Sequence, residues 1–132
     1  MAVTRSTDIE PLKNLIDGAW RTSRSQVADD VFNPATGEVI ARVPFSSGDD
    51  VDEAVAAAAK AFDSWRDTPV YARSRVLFRF KHLLDENKER IARSITEEHG
   101  KSIVEARAEV DRGIECAELA CGITTHLQGR NL

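Results

Sequence analysis

The stretch EVDRGIECAELACG, residues 109–122, carries both cysteines of the chain and decides how the rest is read. Ile103, Ala106, Val110, Ile114, Ala117 and Cys121 recur at helical spacing and predict a helix lying on a core. From Cys116 a second apolar stripe begins on another side: Cys116, Leu119, Ala120, Ile123 and Leu127. A helix apolar nearly all round is normally surrounded by protein on several sides. The other elements, two more helices and two small hairpins, are too few to surround it, so the chain reads as a piece of something larger or as half of an oligomer.

The thiols follow from the same wheel. Cys121 lies at the centre of the first stripe and Cys116 on the second, so both hold positions of small core residues; nucleophilic cysteines sit instead in electropositive, partly exposed pockets with a base at hand. Five residues apart on a helix, their side chains differ by about 140° and their Cα atoms by more than ~7 Å, too far for a disulfide. They read as two independent reduced thiols.

Upstream, the chain divides into a turn-rich front and a helical remainder. Asp17-Gly18 between Leu15-Ile16 and Ala19-Trp20 favours a tight type I′ hairpin. Val31-Phe32 and Val39–Val43 form a second hairpin around Asn33-Pro34-Ala35-Thr36-Gly37, where Pro34 presets φ and Gly37 takes the left-handed position. After Pro44 the period becomes 3.6. Ser47, Gly48 or Asp49 caps a helix with the stripe Val51, Ala54, Val55, Ala58, Ala61, Phe62 and Trp65. Thr68 as N-cap and Pro69 at the first helical position open a second helix, striped by Val76, Leu77, Phe80, Leu83, Leu84, Asn87, Ile91 and Ile95 and stopped at Gly100. Ser102 and Glu105 form a capping box opening the third. The expectation is an α+β arrangement: a tail at 1–13, hairpins within 14–44, and helices at 48–66, 69–99 and 103–127.

Composition excludes several function classes. The net charge of −4, with signs interspersed, leaves no basic stripe for a phosphate backbone, and 6% aromatic residues give little for base stacking, so no nucleic-acid partner is expected. No run approaches the ~18 apolar residues of a membrane span, the start has no apolar export segment, and the expected location is the cytoplasm. No glycine-rich phosphate loop, nucleophile elbow or metal-ligand spacing occurs, and the three histidines fall on charged faces or helix ends. A catalytic constellation is absent. One charge stands out: Glu98 continues the stripe of the second helix, and its carboxylate either lies in water at a frayed last turn or points inward toward a donor or a cation.

NLIDGAW (14–20), VFNPATGEVIARVP (31–44), DVDEAVAAAAKAFDSWR (50–66) and ARSRVLFRFKHLLDENKERIARSITEEHGK (72–101), in that order, resemble the beginning of an aldehyde dehydrogenase. Within that family, Arg112-Gly113-Ile114-Glu115 is most similar to the CoA-acylating methylmalonate-semialdehyde group. The resemblance implies that residues 14–132 are the N-terminal part of the NAD-binding domain of an α/β aldehyde dehydrogenase fold. The whole enzyme would oxidise methylmalonate or malonate semialdehyde with NAD and pass the acyl group to coenzyme A through a cysteine thioester.

It further implies that the nucleophilic cysteine, general base, oxyanion-hole asparagine and dinucleotide-binding strands lie beyond residue 132. This chain alone is then expected to contain no catalytic or cofactor-binding residue, to bind neither NAD nor coenzyme A, and to be inactive. Its expected partners are the rest of an aldehyde dehydrogenase chain or identical subunits. Residue by residue, Arg112 matches an arginine that recognises the substrate carboxylate. Glu98, with the backbone carbonyls of Val31 and Phe32, matches a structural monovalent-cation site. From the residues alone, the preferred reading of Arg112 is a solvated helix-surface charge paired with Glu109 or Glu115. The competing reading of the whole chain is a free-standing helical interaction module that docks a partner through the two-sided third helix.

Overall fold

The computed structural model describes residues 9–127 and 129, which fall into two compact units divided between Arg66 and Asp67. Residues 1–8 of the expected tail, Gln128 and residues 130–132 lie outside the described residues.

The first unit holds four strands and a helix. β1 (Asn14–Ile16) and β2 (Ala19–Arg21) pair antiparallel, Leu15 opposite Trp20. Their turn has the positive φ of a type I′ hairpin at both positions, 51° at Asp17 and 72° at Gly18. β3 (Ala28–Phe32) and β4 (Val39–Pro44) form the second antiparallel pair, with an irregularity between Val31 and Phe32. Asn33 organises the loop: its Oδ1 accepts from the Ala35 N–H at 2.9 Å, its carbonyl accepts from the Gly37 N–H at 2.7 Å, and Gly37 sits at φ 73°. The expected tail is anchored at its end, where the Leu12 N–H donates to the Arg42 carbonyl at 2.8 Å.

Ser47 is the cap of α1 (Gly48–Arg66). Its hydroxyl accepts from the Asp50 N–H at 3.3 Å, and the Asp50 carboxylate accepts from the Ser47 N–H at 2.9 Å. Two first-turn donors are satisfied reciprocally. The apolar stripe of α1 is exposed along its length: Val55, Phe62 and Trp65 are 61%, 56% and 45% accessible.

The second unit is an antiparallel helix pair. α2 (Val70–His99) starts one residue later than expected, because Pro69, at φ −52° and ψ 140°, is still extended. It ends at Gly100, whose φ of 81° closes the helix through an N–H bond to the Thr96 carbonyl. After this short link, α3 (Ile103–Cys121) opens on the expected capping box of Ser102 and Glu105. The first stripe forms the core: Ala106, Val110, Ile114, Ala117 and Cys121 are all buried, and Ala92 of α2 clusters with Ala106, Val110 and Ile114, with Leu84, Ile91, Ile95 and Ile103 packed against them. Ion pairs stitch the same two helices. Lys81 meets Glu118 at 2.8 Å, Lys88 meets Asp111 at 2.7 Å, and Arg107 grips Glu89 with two bonds of 2.8 Å.

Two expectations need correction here. The helix expected over 103–127 breaks at Gly122, whose N–H turns back to the Leu119 carbonyl, and only one further turn, α4 (Ile123–His126), follows. Cys116, read as a core position, is exposed, as are Leu119 at 70% and Leu127 at 58%. The second stripe is real as a pattern: Ala120 and Ile123 are half-buried, while Cys116, Leu119 and Leu127 stay uncovered among the described residues.

Candidate functional site

The charged group of interest gathers where α2 hands over to α3. His99, Lys101, Glu105, Ala108 and Arg112 line an open cleft of about 400 Å³. The tight link at Gly100–Ser102 brings His99 and Lys101 to the side of α3 on which Ala108 and Arg112 stand one turn apart.

Two of the acids here are already engaged. Glu105 belongs to the capping box, accepting from the Ser102 hydroxyl at 2.9 Å and the Ser102 N–H at 3.2 Å. Those bonds, the hydroxyl's first, hold its carboxyl below the usual range. Glu109 is held by the Lys101 ammonium, whose hydrogen bond and charge are the main causes that lower its pKa; the charges of Arg112 and His99 add smaller effects. Arg112 itself is exposed. Among the described residues it has no ion-pair partner within 4 Å, so neither Glu109 nor Glu115 neutralises it as the helix-surface reading required.

The other expected ligands stand as follows. Glu98 is on the last turn of α2 and exposed; the inward positions there are the half-buried Ile95 and Thr96, so its carboxylate lies in water. Val31 is half-buried and Phe32 exposed, on β3 of the first unit, at the irregularity of the strand pair. Among the described residues no cluster of three His, Cys, Asp or Glu side chains could hold a metal ion.

Sequence reasoning missed Lys101 and Asp50. Lys101 precedes the helix and reaches a residue eight positions on, outside the i,i+3 and i,i+4 rules that make helix pairs readable. Asp50 had a signal in Ser47-Gly48-Asp49-Asp50, a capping-box spacing. It is buried and accepts from the Ser23 hydroxyl at 2.8 Å as well as from the Arg24 N–H.

Residues 20–132 match the aldehyde dehydrogenase family. The chain belongs to that family. It is 53% identical over 127 residues to malonate-semialdehyde dehydrogenase 2 of Geobacillus kaustophilus, an alignment covering 96% of this chain and 26% of that protein. It is 44% identical over 129 residues to the malonate-semialdehyde dehydrogenase of Lacticaseibacillus casei, covering 98% and 26%. Among solved structures, the methylmalonate-semialdehyde dehydrogenase of Oceanimonas doudoroffii superposes with a TM-score of 0.84 at 42% identity, over 89% of this chain and 24% of that one. A variant of aldehyde dehydrogenase C from Pseudomonas syringae, solved with NAD+ and octanal, superposes at 0.81 with 41% identity, over 86% and 24%. The chain thus spans about a quarter of the length of these relatives and carries the fold of the corresponding part of an aldehyde dehydrogenase.

Neither the N-terminus of α1 nor that of α3 offers a nicotinamide dinucleotide a site for its pyrophosphate. A pyrophosphate needs free N–H groups at a helix N-terminus. At α1 that position is occupied by the Asp50 carboxylate and at α3 by the Glu105 carboxylate, each of which would repel it.

Proposed function

We propose that this chain is the N-terminal segment of an NAD-dependent, CoA-acylating aldehyde dehydrogenase acting in the cytoplasm on malonate or methylmalonate semialdehyde, and that Arg112 takes the substrate carboxylate. The observation carrying the reading is the unpaired Arg112 guanidinium at a cleft shared with His99 and Lys101, the nearest helix acid being occupied by Lys101. A planar guanidinium offers two parallel donors to a carboxylate, a match that an ammonium lacks. The names of the relatives, malonate- and methylmalonate-semialdehyde dehydrogenases, support a substrate with such a carboxylate. NAD, coenzyme A and the thioester-forming cysteine belong in this reading to the remainder of the enzyme, and the segment alone is inactive.

Arg112→Ala in the enzyme containing this segment tests the proposal. Loss of a charge-assisted bond of about 1.5–3 kcal/mol lowers kcat/KM for malonate semialdehyde about ten- to a hundredfold, and leaves propanal, which has no carboxylate, nearly unchanged. Equal losses for both aldehydes, or none, would reject it.

We further propose that Glu98 contributes an oxygen ligand to a structural monovalent cation in the enzyme containing this segment. All-oxygen ligation suits a hard cation, and Glu98 has no ion-pair partner among the described residues. A sodium- or potassium-dependent rise in Tm that disappears in Glu98→Gln supports this; equal salt responses of the two proteins reject it.

A further inference from the structure

We propose that Lys101 is a positioning residue for Arg112: by holding Glu109, it keeps the guanidinium free for an anion. The inference rests on the reading of Arg112 as the carboxylate-binding group and adds the device that keeps it available.

Glu109 stands three residues before Arg112 on α3, a spacing at which an acid and a following base attract one another along a helix. Left alone, the two would form an i,i+3 pair, and an incoming carboxylate would have to displace Glu109. In the structure that pair is not made. The Glu109 carboxylate is instead bonded to the Lys101 ammonium, which reaches it from the link before the helix. The Lys101 side chain is only 22% accessible and that of Glu109 46%, so the lysine is the better fixed partner. The depressed pKa of Glu109, caused first by Lys101 and only weakly by Arg112, agrees with that division. Glu115, the acid three residues after Arg112, makes no ion pair with it either, and Glu105, the other acid at the cleft, is committed to the helix cap. Glu105 and Glu109 are both engaged elsewhere, and for Glu109 a single side chain does it.

The test uses Lys101→Gln and Lys101→Gln/Glu109→Gln in the enzyme containing this segment. Freed Glu109 should swing to Arg112, and a crystal structure of the single variant should show the two within ion-pair distance. KM for malonate semialdehyde should rise about two- to threefold, the scale of an exposed helix pair, with kcat little changed and propanal unaffected. The double variant, which has the charge of the parent and no acid to compete, should restore KM. An Arg112 that stays unpaired in the single variant, a double variant without recovery, or equal losses on both aldehydes would each overturn the proposal. The failures are separable: a pair that forms without changing KM sinks the role of Arg112 in substrate binding, whereas a selective Arg112→Ala beside a silent Lys101→Gln sinks only the role of Lys101.

Discussion

The Ser23 hydroxyl donates to the Asp50 carboxylate at 2.8 Å, tying the segment after the first hairpin to the first turn of α1 across 27 positions of sequence. The same carboxylate accepts from the Arg24 and Ser47 N–H groups, and beside it Glu53 receives Arg24 at 2.7 Å and Arg21 at 3.2 Å. This polar knot links the hairpin segment to the helix within the first unit, beside the buried Ile16.

The knot makes a pH prediction. The Ser23 hydroxyl first, then the Ser47 N–H, pull the Asp50 carboxyl from 3.8 to about 2 against the opposing effect of burial. The folded pKa lies below the unfolded one, so the stabilisation is complete above about 4 and is lost as pH falls toward about 2. Amide exchange at Arg24 and Ser47, corrected for intrinsic rates, should show protection collapsing in that window. Asp50→Asn should be less protected at neutral pH and show no such collapse. Protection of the parent that stays level down to pH 2 would contradict the assignment.

What the sequence disclosed, and what it did not, divides along physical lines. The first stripe of α3 was fully legible, because burial against one neighbouring helix follows the 3.6-residue period directly. Both turns were legible too, since Asp17-Gly18 and Gly37 meet a conformational demand that few residues can. The fate of Cys116, Leu119 and Leu127 was not, because periodicity marks a face as apolar without saying what covers it. Gly122 could equally continue or stop a helix, and only the chain's turn back to Leu119 decides it. At the candidate site Arg112 was legible by resemblance alone. Its freedom from Glu109 depends on Lys101, a contact made through the bend between helices and therefore invisible to any spacing rule.

The capping box at α3 predicts a local cost. Ser102→Ala removes the acceptor for the Glu105 N–H and should lower the stability of the helix pair by about 1 kcal/mol. Because the Ser102 hydroxyl is the main cause of the low Glu105 pKa, the same change should raise it toward an ordinary glutamate. Thermal melts followed by circular dichroism and an NMR titration of Glu105 read the two effects. Destabilisation without a move in Glu105 would mean that the box is not the mechanism.

Gly113 predicts the reverse sign. It lies in the interior of α3, and a Cβ added there meets nothing within 4 Å. Gly113→Ala should therefore stabilise this chain by roughly 0.5–1 kcal/mol through helix propensity. If the same substitution weakens the enzyme containing this segment, the open space beside Gly113 is filled there by another part of the protein. Chemical denaturation of the two backgrounds separates the cases, and a destabilised chain would refute the helix argument.

The two thiols give the last prediction. Cys121 is buried in the first stripe and Cys116 is exposed, so iodoacetamide should label Cys116 rapidly and Cys121 only as fast as the helix pair opens. Accessibility is not activation. A nucleophilic thiol needs a base or a stabilising cation to supply its thiolate, and among the described residues neither cysteine has a hydrogen-bond partner. The histidines do not serve: all three are exposed, and His82 Nε2 faces Glu86 at 3.4 Å on its own helix. In the enzyme containing this segment, Cys116→Ala and Cys121→Ala should therefore both still form the acyl-enzyme, measured by intact mass after a single turnover. Cys121→Ala should cost some stability as a small core deletion, while Cys116→Ala should cost almost none. Loss of the acyl-enzyme in a folded Cys116→Ala protein would place a nucleophile on α3 and overturn the assignment of catalysis to the rest of the enzyme.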